Sequence, residues 1–228
     1  MPYVPSEKTV PPAEDRKILD PIIELVAQEV ATRIKNNRLL KTVYRGMFLD
    51  IAIELEHVVC RGGKLSESVE AKLAFTIYEV ANKWGYDGAE SGELNYSVTR
   101  IIQRVPQIKV ERGEWENKDE LRYWSYAAAV RALICASRRT EDFVIDASGV
   151  YEDVKDEYKW RVNRPYEAAQ IIKSGDCYDT PYYTKLVEVV DENGKLIGHT
   201  DVYLKRSEET LHKDVLDYQL VLRKKPSS

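Results

Sequence analysis

Cysteine, histidine and methionine are scarce in this chain, and each shortage closes off some chemistry. The three cysteines, Cys60, Cys135 and Cys177, are scattered singly with no CxxC pair. Such an odd, sparse count argues against a disulfide scaffold and fits a reducing cytosol. Three histidines in all leave little material for a His-based triad or a three-His metal site. Two methionines and three cysteines beside a high charge content lean toward a thermophilic source. Also missing are GxGxxG, the Walker-type GxxxxGK[ST], HExxH and the GxSxG elbow. No apolar run approaches the roughly 20 residues that a membrane helix needs. The opening residues show no basic stretch followed by an apolar one, so no secretory signal is expected. The chain reads as a soluble cytoplasmic protein with no membrane contact.

What is present suits a globular body. Hydrophobic residues make up 43% of the 228 and charged ones 32%, and a chain of this length buries roughly 70% of its unfolded surface. Its 34 basic and 38 acidic residues, net charge −4, are well mixed along the chain. That mixture lacks the basic stripe of a nucleic-acid binder, so nucleic acid is not the favoured partner.

Residues 1–19, with Pro2, Pro5, Pro11 and Pro12, read as an extended arm. Asp20-Pro21 marks a helix start, Asp as cap and Pro at the first helical position. Ile22, Ile23, Val26, Val30 and Ile34 then recur at helical spacing. A second helix spans about 39–60 and stops at Gly62-Gly63. Ser66 caps a third, with Val69, Leu73, Ile77, Val80 and Trp84 inward and Gly85 as its end. A fourth runs from about 93 to 105 and stops at Pro106. Asp119 opens a fifth, and a sixth region covers 140–174 with interruptions near Gly149 and Pro165. After Gly175 the period changes from 3.6 to 2. Residues 185–190 and 195–204 flank Asn193-Gly194, a strong hairpin signal, and Tyr218, Leu220 and Leu222 alternate as a third strand. The expected fold class is mainly α: a helical domain of five or six helices with a small C-terminal antiparallel β-hairpin or three-stranded sheet. The expected organisation is an arm at 1–19, a helical domain at 20–178 and a β module with a basic tail at 179–228.

Few constellations carry chemistry. Glu54 with His57, and Glu209 with His212, have the Glu-x-x-His spacing of di-iron bundles, but the further glutamates such a site requires are not evident. The helix from Tyr151 to Arg161 is densely charged. Glu152 with Asp156, and Asp153 with Glu157, are four apart and lie on adjacent faces. Such pairs can hold Mg²⁺, whereas a solvated face with a Glu157–Arg161 ion pair is the plainer reading. Arg100, Arg104, Arg131, Arg138 and Arg139, beside Tyr96 and Tyr126, outline a basic face that interspersed acids dilute.

Several segments share a pattern: Met1-Pro2-Tyr3-Val4, Leu19-Asp20-Pro21-Ile22-Ile23, and Gly92-Glu93-Leu94-Asn95-Tyr96-Ser97-Val98-Thr99-Arg100. Others are the helix with Glu152, Lys155, Glu157, Tyr158 and Arg161, then Pro165-Tyr166-Glu167, and Ser174-Gly175-Asp176-Cys177-Tyr178. Together they resemble a family of short uncharacterised proteins found in bacteria, archaea and their viruses. Trp160 stands where that family usually has Arg, and residues 179–228 lie outside its short form. The resemblance implies no activity. It singles out Asn95, Tyr96, Glu152, Glu157, Tyr158, Arg161, Tyr166 and Asp176, which either form a buried polar network that orders the helices or line a ligand pocket. Gly175 and Asp176 are read as a tight turn closing the helical domain.

Missing catalytic signatures, few histidines, a Pro-rich arm and a hairpin edge favour a binding or assembly protein over an enzyme. Its partner is expected to be another protein or a second copy, with no cofactor. The competing expectation is a metal-dependent helical nucleotide hydrolase that holds Mg²⁺ on the carboxylate cluster of Glu152–Glu157. That rests on fold-level analogy.

Overall fold

The computed structural model describes residues 13–61, 66–85, 88–116, 119–167, 182–190, 196–205 and 219–221, the last three segments by backbone alone. The chain divides into two compact units, 1–163 and 164–228. Among its described residues the first unit holds six α-helices: α1 Ala13–Arg33, α2 Leu40–Arg61, α3 Val69–Asn82, α4 Glu90–Glu111, α5 Asp119–Ser137 and α6 Ala147–Tyr158. A π-helical turn, Lys159–Asn163, continues α6. The principal packing contacts run in the order α1, α3, α2, α5, α6, α4 and back to α1. Each helix is thereby wedged between two neighbours, with its apolar stripe turned inward.

The core that results contains Leu19, Val30, Ile34, Phe48, Ile51, Leu55, Leu73, Ile77, Leu94 and Ile101, all at most 1% exposed. Tyrosines enter it with their hydroxyls satisfied, as burial demands. Tyr151 donates to the carbonyl of Phe48 at 2.6 Å, and Tyr44 shares a 2.7 Å hydrogen bond with Ser125. Phe48 lies between the two rings, with centroids 6.0 Å from Tyr44 and 5.8 Å from Tyr151.

Buried acids fasten α1 to α3 at both ends. Arg33 reaches Glu70, 1% exposed, at 2.7 Å, and Lys83 closes on the fully buried Asp15. The two helices are antiparallel, because the end of one meets the start of the other. Beside α4, Tyr96 donates to Asp20 at 2.8 Å, Arg104 bonds Glu24 at 2.7 Å, and Arg112 bonds Thr32 at 3.0 Å.

The expected fold class is corrected by this architecture. Residues 13–167, where they are described, are helices and turns with no strand, so the body carrying the core is all-α. Beyond it, strand backbone occurs at Tyr182–Val190 (β1), Leu196–Lys205 (β2) and Gln219–Val221 (β3), in the order β2-β1-β3. β1 is antiparallel to β2 but parallel to β3. The sheet is therefore mixed, and the expected antiparallel β module is withdrawn from the fold class. Period-2 alternation marks a strand but not its direction, and a crossover of about a dozen residues permits parallel pairing. The Asn193-Gly194 turn lies outside the described residues.

Three helix boundaries also move. α1 begins at Ala13, so residues 13–19 are helical and Pro21 lies inside the helix. α4 continues through a buried Pro106 to Glu111. Proline removes one amide and crowds the preceding turn, yet packing along α1 and α4 on both sides outweighs that local cost. The cap of α3 is Ser68, which accepts from the amide of Ala71 at 3.0 Å. Ser66 instead donates to Glu54 at 2.5 Å.

Candidate functional site

Of the residues that the motif pattern singles out, Tyr96 and Tyr158 lie on two seams between helices, and Glu152, Glu157 and Arg161 lie along one helix and its continuation. Tyr158, 5% exposed, crosses from α6 to α4 and donates to the carbonyl of Thr99 at 3.0 Å. Its ring lies 5.4 Å from that of Tyr126, and burial pushes its hydroxyl well above the usual phenol range. Asn95 lies one turn before Thr99 on α4 and is half-buried. Tyr96 faces the other seam, with Asp20 at its hydroxyl and Arg16 over its ring at 5.7 Å. Partial burial, then the Asp20 carboxylate, raise its hydroxyl. Thus Tyr96 and Tyr158 fasten α4 to α1 and α6 respectively. Tyr166 is half-buried in the helical turn 164–167 of the second unit. Asp176, Gly175 and the turn expected there lie outside the described residues.

The acidic helix engages its own cations. Glu152 accepts from Lys155, a bond that holds its carboxyl below the usual carboxylate range against the opposing effect of burial. Asp156 lies 3.3 Å from Lys155, and Glu157 accepts from Arg161 one turn on. These carboxylates are tied along one helix. Among the described residues, no grouping of three or more His, Cys, Asp or Glu is arranged to hold a metal ion. In the Glu54/His57 pair, Glu54 is taken by Ser66, and Glu209/His212 lies outside the described residues.

The basic residues part company. Arg104 is neutralised by Glu24 and by Glu111, the latter at 2.6 Å. Arg100 bonds only Gln103, at 3.3 Å, among the described residues. Arg131, Arg138 and Arg139 are exposed along and just beyond α5.

Sequence reasoning missed two outward faces. On α1, Ile18 is 53% and Leu25 51% exposed, with the exposed Pro21 between them. Steps of three and four set all three on one face. That spacing was in the sequence, but Asp20-Pro21 was read as a cap, which cut the stripe in two. On α5, Trp124 is 50% exposed. Among the described residues no helix is long and apolar enough to cross a membrane.

No curated protein and no solved structure is significantly similar to the chain. A family model described as a domain of unknown function matches residues 1–177, which takes in all six helices described above. By that match the chain belongs to the DUF6899 family.

Proposed function

We propose that this chain is a non-enzymatic binding or assembly protein that works in the cytoplasm and docks a protein, in the first place another copy of itself, through the outer face of α1. The supporting observation is the run Ile18, Pro21 and Leu25, each exposed on one helix face. Scattered exposed apolar residues are ordinary, whereas an aligned set marks a contact surface. The fastened seams behind it hold that face rigid, which lowers the ordering cost of binding. A photo-reactive phenylalanine placed at Leu25 is expected to capture a defined protein, whereas one at Glu79, exposed on α3, captures none. Equal labelling at both positions contradicts the reading.

The competing reading, a metal-dependent helical nucleotide hydrolase, gains little from carboxylates already closed on Lys155 and Arg161. Mg²⁺-dependent nucleotide hydrolysis that Glu157→Gln abolishes would favour it instead.

A further inference from the structure

The fold gathers positive charge that the sequence disperses. Trp124, Arg131 and Arg138 are seven residues apart, two helical turns each, and so lie in one line along α5 and just past its end. That line is about 21 Å long at the standard helical rise. Trp124 is 50% exposed, both arginines are exposed, and Arg139 follows, also exposed. On the neighbouring helix α2, Lys41 and Arg45 are exposed. Tyr44, next to Arg45, hydrogen-bonds Ser125, next to Trp124, at 2.7 Å, which sets the segment of α2 that carries these cations against the segment of α5 that carries the indole.

Among the described residues none of these five cations has a carboxylate partner. Arg33, Lys83, Arg104, Lys109, Lys155 and Arg161 all do. Of the nearby acids whose side chains are described, Glu56 is occupied by the amides of Val144 and Ile145. Glu141 and Asp142 lie beyond the far end of the line. A protein of net charge −4 thus presents one face of unneutralised guanidinium and ammonium groups around a flat aromatic ring.

We infer that this face binds single-stranded nucleic acid, with phosphates on the cations and an unstacked base on Trp124. Cations track a phosphate backbone, and an indole offers stacking that every base can use. A duplex keeps its bases stacked and cannot use the ring. This inference is independent of docking through α1.

Fluorescence anisotropy of labelled single-stranded DNA and RNA oligonucleotides of about 20 nucleotides tests it. That length exceeds the roughly 4–16 nucleotides a single-strand site occupies. Binding should weaken steeply with salt, and Arg131→Gln with Arg138→Gln should lower the salt slope by about one per cation removed. Trp124→Ala should weaken binding by roughly fivefold or more, the low end of the loss of a stacked base, with melting temperature unchanged because the position is exposed. The duplex of the same sequence should bind more weakly. No binding at low salt overturns the inference. So does binding that Trp124→Ala leaves intact, or equal affinity for polyglutamate or anionic vesicles, since each would mark a surface for acidic protein or lipid.

Discussion

At Gly149 a missing side chain makes room for a helix cap. Asp146 accepts from the Gly149 amide at 3.0 Å, and a Cβ there would stand 2.5 Å from the Asp146 carboxylate. Gly149→Ala should therefore displace the cap and lower stability by about 1 kcal/mol, the usual worth of such a bond. Thermal melting beside Asp146→Ala, expected to lose a similar amount, checks it. The interruption expected near Gly149 lies before it, since α6 starts at Ala147 and runs through Gly149; capping depends on where the Asp146 side chain turns. The buried tyrosines carry a second prediction. Burial raises the hydroxyls of Tyr44, Tyr151 and Tyr158 above their ordinary value of 10.0. Below that pH folded and unfolded chains are equally protonated, so stability is intact. Above it only the unfolded chain releases the protons, so stability falls, by about 4 kcal/mol per pH unit for three such groups. Denaturant unfolding between pH 9 and 11 should show that fall steepening with pH, to about 4 kcal/mol in total over the two units, and Tyr158→Phe should remove about a third of it.

Helices were legible as elements because six apolar stripes repeat at a helical period. Their ends were less so. Pro21 is a strong local start signal and Pro106 a strong local stop, and tertiary packing carried α1 and α4 through both. Parallel pairing of β1 with β3 was invisible for a related reason: strand direction is set by the path of the intervening chain. Contacts between elements were mostly beyond reach. Nothing in the sequence says that Glu56 of α2 accepts from the amides of Val144 and Ile145, at 3.2 and 3.1 Å, and so holds the connection between α5 and α6. Glu56→Ala should free those two amides. Hydrogen exchange at Val144 and Ile145 should accelerate by at least tenfold, as loss of a charge-assisted bond of about 1.5–3 kcal/mol implies. Exchange elsewhere in α2 and α5 should hardly change.

Across the whole molecule, the motif residues proved the most legible part of the candidate site and its outward faces the least. Tyr96 and Tyr158 stood out because a polar aromatic replaced an aliphatic residue, and both turn out to join helices. The α1 stripe was divided by a misread cap, and the α5 line was hidden because its cations alternate in sequence with core residues. Membership of a domain family without an assigned activity leaves function to be argued from surfaces. In the proposed function, a rigid helical body presents the outer face of α1 for assembly. Light scattering across a concentration series tests this most directly, on the wild type and on Ile18→Asp/Leu25→Asp, both sites more than half exposed and so tolerant of charge. The expected result is a wild-type mass that rises above the 26.3 kDa of one chain and a variant that stays at that value with an unchanged melting temperature. A wild type that remains at one chain's mass at every concentration, or a variant that assembles as well as the wild type, would contradict it.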